Sequence, residues 1–273
     1  MFTKLTILFL LAIRPVAALA EIYQWADKQG QTHYSSVKRD QSKPLKINPG
    51  HAFFQVKKIY DGDTILLNNG TKVRLLGINA PEVENHNKLA QPFGEEAKQW
   101  LEKTLSGQKV RIQKDVDKKD KYGRTLAHVF TQTRRHVNLE LVEKGLATVN
   151  VHPPGVKYTD ALLLAQNKAE ADKIGLWQHE QYQAKTIDSL NEMRLRGWQR
   201  LVGKVTNIRE SRKYVYLVFS KLFDARIARK HLSYFPDLSE YLHKTIEVRG
   251  WSSRRKKHRS MLIRHSSAIK VME

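Results

Sequence analysis

The sequence contains no cysteine. That absence removes disulfide bridges, thiolate catalysis, iron–sulfur clusters and cysteine-ligated zinc at once, and it leaves the redox compartment open. Long apolar runs are also missing. The longest, Leu5 to Ile13, is far shorter than the ~20 residues a helix needs to cross a bilayer. Acidic residues are scarce, with 27 Asp and Glu against 48 Lys and Arg, for a net charge of +21. A field of that sign attracts polyanions such as nucleic acid, anionic lipid or acidic polysaccharide, and charge alone does not choose among them. None of these shortages describes a disordered or collagen-like chain. Apolar residues make up 41%, charged residues 27%, and there are only 8 prolines, a globular composition. The 273 residues suffice for one or two compact domains with a real core.

Residues 1–20 read as a secretory signal peptide: Lys4, the apolar stretch Leu5 to Ile13, then Ala18-Leu19-Ala20 as a small-x-small cleavage site. The expected location is therefore periplasmic or secreted, and the processed chain keeps its strong positive charge. Residues 21–50 read as a short hairpin module followed by a polar linker. Ile22 to Asp27 and Thr32 to Tyr34 supply the strands, Lys28-Gln29-Gly30 the turn, and Lys38 to Gly50 the linker. The module resembles a short N-terminal piece of unknown function found in exported bacterial proteins.

Residues 51–178 form the next unit. Strand-like runs cover Phe53 to Ile59, Thr64 to Leu67, Lys72 to Ile78, Lys109 to Gln113 and Thr125 to Phe130, and helical periodicity covers Phe93 to Leu105, Val137 to Lys144 and Thr159 to Lys173. Five strands with three helices predict a mainly β, α+β fold, a five-stranded barrel with helical cover. After a connector over 179–200 the pattern restarts. Leu201 to Ile208, Tyr214 to Phe219, Asp224 to Ala228, Thr245 to Trp251 and Met261 to Ile263 predict a second OB-like barrel in 201–273. Residues 191–273 hold 20 cations against 7 anions, whereas residues 51–178 hold 20 against 15. Oligonucleotides bind OB barrels at the loops after strands one and four. Those loops would carry Arg212 and Lys213, and the run Arg254, Arg255, Lys256, Lys257, His258 and Arg259. All but His258 are candidate nucleic-acid contacts.

Three motifs follow one another in the first barrel: Asp61-Gly62-Asp63-Thr64, then Arg74-Leu75-Leu76-Gly77-Ile78-Asn79-Ala80-Pro81-Glu82, then Asp120-Lys121-Tyr122-Gly123-Arg124. Each is weak alone, since the first reads as a common turn and the third as a solvated charged loop. Arg74 differs, because a guanidinium inside an apolar strand is costly without a partner. In order and spacing the three resemble the staphylococcal (thermonuclease-type) nuclease domain over about Phe53 to Trp177, including Glu143-Lys144-Gly145-Leu146-Ala147 and Gly175-Leu176-Trp177.

The resemblance implies an OB-like barrel and calcium-dependent hydrolysis of DNA or RNA. It assigns Arg74 and Arg124 to the phosphate, Glu82 to the attacking water, and Asp63, Asn79 and the Ala80 carbonyl to Ca2+, with Lys121 and Tyr122 near the substrate. The chemistry suits the residues. Phosphodiester hydrolysis needs charge neutralised on the non-bridging oxygens and a water held in line. Arg supplies a planar, permanently charged fork, and calcium prefers oxygen ligands. Two departures stand out: the family usually has Asp where this chain has Asn79, and a substrate-contacting tyrosine after Ala147 gives way to Thr148-Val149-Asn150-Val151-His152-Pro153. The competing reading is a weak or inactive relative that binds nucleic acid without cutting it. Keeping Arg74, Glu82 and Arg124 together argues against that, since a pure binder has no use for the glutamate.

Overall fold

The computed structural model describes residues 22–27, 29, 31–35, 37–45, 52–84, 89–191 and 197–272. The signal-peptide reading therefore lies outside the described residues. The N-terminal unit is a three-stranded antiparallel sheet, with β1 (Ile22–Ala26) between β2 (Thr32–Ser35) and β3 (Lys43–Leu45). The third strand falls inside the stretch read as linker. Pro44 sits opposite Tyr23 on this edge strand, where a missing N–H is tolerated.

The first barrel opens with β4 (Phe53–Asp61), β5 (Thr64–Leu67), β6 (Lys72–Leu75) and the short β7 (Ile78–Asn79). Helix α1 (Gly94–Leu105) follows, then β8 (Lys109–Lys119), β9 (Thr125–Thr131), α2 (Val137–Glu143), β10 (Thr148–Val149) and α3 (Thr159–Ala171). The order β4-β5-β6-β9-β8 closes on itself, with β6 and β9 parallel. Strand β8 runs on to Lys119, past Gln113 where the strand-like run ended, and stops just before the Asp120–Arg124 motif. Inward residues of period two, such as Val73 and Leu75, meet the α1 face of Ala97, Leu101 and Leu105, spaced by four as a helix requires. His128 is buried on β9 with its Nδ1 3.2 Å from Nε2 of His136. Neither ring is a surface position, and burial pushes both down to about 4.

Strand β11 (Ala184–Thr186) leads into a second sheet: β12 (Trp198–Lys204), β13 (Asn207–Glu210), β14 (Tyr214–Ser220), β15 (Phe223–Ala228), β16 (Thr245–Arg255), β17 (His258–Ile263) and β18 (Ile269–Val271). Its order runs β12-β16-β17-β15-β14-β13. Since β12 and β13 are consecutive in the chain, this is the strand order of the first barrel, again with the third and fifth positions parallel at β15 and β17. Val215, Leu217 and Phe219 face its core, and Tyr214, Tyr216 and Val218 face outward. The reading of the run Arg254 to Arg259 as a loop is corrected. Pairing continues from Ser252↔Met261 to Arg255↔His258, leaving only Lys256 and Lys257 as a turn. That turn lies at the start of β17, the end of the sheet away from the Ser211–Lys213 loop, so the two basic segments do not form one patch.

Four charges, three of them buried, join the barrels. Arg200 Nε bonds Glu247 Oε1 at 2.7 Å, and Arg249 Nη2 bonds Glu170 Oε2, from α3, at 2.9 Å. Trp177 and Trp198 pack edge to face beside them, ring centroids 6.2 Å apart. Two glycines set the approach of α1 to the first barrel. A Cβ at Gly62 would lie 2.6 Å from the Cβ atoms of both Ala80 and Ala97, and one at Gly94 would lie 2.4 Å from the Glu82 carbonyl oxygen. The second obstacle is backbone and cannot rotate away. Gly94→Ala is expected to destabilise the protein by about 1–3 kcal/mol through overpacking, read as a lowered thermal midpoint.

Candidate active site

Arg74 lies on β6 between Val73 and Leu75, both buried inward, so the alternation of the strand turns its side chain to the opposite face. There it is fixed by acceptors on every side. Nη1 donates to the carbonyls of Leu75 at 2.8 Å and Ile78 at 3.1 Å. Nη2 donates to Asp63 Oδ2 at 2.8 Å and Asn79 Oδ1 at 3.2 Å. The side chains of Arg74 and Asp63 are 14% and 9% exposed, so this is a partly desolvated ion pair, with the strength and the cost that implies.

Asp63 ends the tight turn between β4 and β5. Its Oδ2 also accepts from the Ala80 N–H at 3.0 Å, and its Oδ1 accepts from the Thr64 hydroxyl at 3.0 Å. Burial pushes its carboxyl up to about 7, with Asp61 adding to the rise and Arg74 and the Ala80 amide opposing it. The Asn79 amide spends Oδ1 on Arg74 and donates Nδ2 to the Ala80 carbonyl at 3.0 Å. The three oxygens assigned to calcium thus gather on one wall, and hard oxygen donors are the type that calcium takes. Their charge is thin. Among the described residues no three His, Asp or Glu side chains converge as a metal cage, which leaves Asp63 as the one carboxylate of this set.

Arg124 closes the other side. It follows the hairpin tip between β8 and β9, where Nε bonds Asp120 Oδ2 at 2.7 Å and Nη1 reaches Thr64 Oγ1 at 3.4 Å. Burial raises the Asp120 carboxyl, but its bonds to the Arg124 side chain and the Arg124 and Tyr122 amides outweigh this and hold it low. Tyr122 projects from the tip, 71% exposed, with the Lys121 ammonium 4.9 Å from its ring. Glu82 is half-buried after β7, its backbone tied to Gln91 by bonds of 2.9 and 3.1 Å.

Two adjoining hollows result. A cleft of about 710 Å³ is lined by Arg74, Asp120, Lys121, Arg124 and His152, and by Trp251, Leu262 and Arg264 of the second barrel. A hollow of about 520 Å³ is lined by Asn79, Glu82 and Gln91, again with Trp251. The structure thus brings Arg74 to Arg124 and Asn79 to Glu82 across a shared boundary. It does not bring Arg212, Lys213, Arg254, Arg255, Lys256, Lys257 or Arg259 to either lining. Arg212, Lys213 and Arg254 to Lys257 are exposed, and Arg259 is half-buried. Sequence reasoning missed Trp251, Leu262 and Arg264. No local signal marks them, because their strands were readable but the surface they face was not. His152 is pushed below its ordinary range by burial in the cleft and by the positive charges of Arg264, Arg74 and His231.

Comparison with known proteins agrees with this geometry. Residues 72–179 match the family described as staphylococcal nuclease homologue, and residues 8–52 match a domain of unknown function (DUF4124). The chain is 37% identical to a thermonuclease of Staphylococcus intermedius over 128 residues, which is 46% of this chain and 76% of the relative. It is 35% identical to a thermonuclease of Staphylococcus hyicus over 133 residues, 48% of this chain and 78% of the relative. Endonuclease YncB of Bacillus subtilis is 37% identical over 127 residues, covering 45% of this chain and 60% of that protein. With the barrel, the Arg74–Asp63 pair and the Arg124 hairpin in place, the chain belongs to the staphylococcal nuclease family.

Proposed function

We propose that the protein is an exported, calcium-dependent nuclease that hydrolyses phosphodiester bonds of DNA or RNA, with its basic second barrel holding the nucleic acid. The observation that carries this reading is the placement of Arg74 and Arg124 on one cleft, with Glu82 and Asn79 in the hollow beside it. Thermonucleases and an endonuclease among its relatives support the reaction class. Export rests on residues 1–20 and on the module that follows, and the division into 1–20, 21–50, 51–178, 179–200 and 201–273 belongs to the same reading.

In hydrolysis a water oxygen bonds to phosphorus, the bond from phosphorus to the leaving oxygen breaks, and a proton passes from the water to a base. Arg124 and Arg74 neutralise the phosphoryl oxygens as charge grows on them. Glu82 orients the water and accepts its proton. Asp63, Asn79 and the Ala80 carbonyl would hold calcium, which supplies charge neutralisation at the phosphate. The Asn79 amide matters here because its Nδ2 donates to the Ala80 carbonyl. In this chain a hydrogen bond draws together two groups that an aspartate would set against each other.

Arg74→Lys and Arg124→Lys should each lower the rate by about 100-fold or more, because lysine keeps the charge and loses the fork. The check is plasmid cleavage with thermal midpoints measured alongside, and full activity in both variants would overturn the assignment. Asn79→Asp should lower the calcium concentration for half-maximal activity about tenfold, roughly 1.4 kcal/mol. In chelator it should lower the thermal midpoint, since two oxygens would face each other without a proton. An unchanged calcium midpoint refutes the role of Asn79. For the second barrel, replacing Arg254, Arg255 and Lys256 by glutamine should weaken duplex binding and flatten the slope of log affinity against log salt by about 0.9 for each phosphate no longer neutralised. An unaltered slope would assign that run to another partner.

A further inference from the structure

The second barrel forms one wall of the catalytic cleft. Trp251, 41% exposed, borders both hollows, facing Arg74 and Arg124 on one side and Asn79 and Glu82 on the other. Arg264 lines the larger cleft with it. The wall is held by buried ion pairs: Glu247 and Arg249 share the outward face of β16 with Trp251, and Arg249 is bonded to Glu170 of the first barrel. It is therefore a fixed part of the site.

Strand register extends this wall outward. Trp251 precedes the Ser252↔Met261 pair by one residue and Leu262 follows it by one, which sets them side by side. Leu262 is opposite Arg226, Arg226 opposite Tyr216, and Tyr216 opposite Arg209. A row of aromatic and cationic side chains thus crosses the barrel, with the Arg209 guanidinium 4.0 Å from the Tyr216 ring centre. Among the described residues neither Arg226 nor Arg264 has a carboxylate partner; Arg226 Nη2 reaches Ser253 Oγ at 3.5 Å and its Nε is buried with no hydrogen-bond partner. Arg209 is paired with Asp224 at 3.4 Å, while Arg226 lies 5.7 Å from the Tyr214 ring centre; cationic groups beside aromatic faces match the alternation of phosphate and base along a single strand.

We propose that Trp251 and Arg264 form a nucleotide subsite of the cleft, the indole stacking an unpaired nucleobase beside the scissile phosphodiester and the guanidinium binding the next phosphate. The strand then continues over Arg226 and Tyr216. The subsite supplies from the second barrel the aromatic contact that Thr148 to Pro153 do not provide. A base inside a duplex has its faces covered by stacked neighbours, so the contact favours single-stranded segments. This inference rests on the nuclease reading of the cleft, and its test separates the two.

The probe is a short single-stranded phosphorothioate oligothymidylate that resists cleavage, added to the full-length protein with calcium and followed by anisotropy and tryptophan fluorescence. Trp251→Ala and Trp251→Leu should each weaken binding about tenfold, change duplex binding less than twofold, and remove part of the fluorescence quench seen in the wild type. Trp251→Leu keeps apolar bulk without a π face, so a loss shared by both variants at unchanged thermal midpoint reports stacking and not packing. Arg264→Gln should flatten the salt slope by about 0.7 on the single strand. In cleavage of unmodified oligonucleotide the Trp251 variants should raise KM about tenfold and leave kcat within about twofold. Wild-type binding in Trp251→Leu and Arg264→Gln would overturn the subsite even if the protein cuts DNA. Loss of binding in both, in a protein that cuts nothing, would keep the subsite and remove the nuclease reading.

Discussion

The Arg74–Asp63 pair sets the conditions for the whole site. A guanidinium placed on a barrel strand and largely removed from water must find acceptors, and it finds them in three backbone and side-chain groups of the β6–β7 segment and in the carboxylate from the β4–β5 turn. Those bonds leave the fork little freedom, and they bind together residues 63, 74, 79 and 80. Removing either partner would strand the other charge in a poorly solvated place, a cost far larger than the net value of the pair. The pair also draws in its neighbours: Asp63 accepts the Ala80 N–H as well, and burial raises its carboxyl against the pull of Arg74.

Asn79 belongs to the same set of bonds. A carboxylate there would add charge for a cation and would repel the Ala80 carbonyl in its absence. The amide instead bridges Arg74 and that carbonyl with its two ends. The chain exchanges electrostatic pull for a wall that is satisfied by its own hydrogen bonds. Gly62 and Gly94 act at the level of space, letting α1 approach the two segments that carry Asp63 and Glu82.

Both barrels share one strand order, and the ionic network of Glu170, Arg200, Glu247 and Arg249 turns two similar folds into one surface. Its charges are mutually satisfied, and the Arg200 and Arg249 guanidinium groups lie 5.5 and 5.9 Å from the Trp177 ring centre. The rigidity of that joint decides which face of the second barrel looks at Arg74. The exposed Lys256–Lys257 turn is left at the far end of the sheet from Ser211–Lys213, so the most conspicuous charge in the sequence is not the charge nearest the cleft.

Amphipathic period marked the strands and α1 because side-chain direction along a strand or helix is a local property, and Leu101, Val215 and Leu217 follow it without exception. The site motifs were readable for a related reason. Asp63, Arg74, Asn79, Ala80 and Glu82 lie within twenty residues of chain, and an arginine in an apolar strand announces a partner. Strand Lys43–Leu45 escaped because three residues around a proline carry no period, and the Arg254 to Arg259 hairpin escaped because charge masked its alternation. Trp251, Leu262 and Arg264 belong to a different class. Trp251 and Leu262 lie on legible strands and Arg264 follows one, yet their approach to Arg74 depends on which surfaces of two barrels with distinct cores meet. That choice is made by the packing of Trp177 against Trp198 and by charges from three separate stretches of chain, around 170, 200 and 247–249, and no local pattern encodes it.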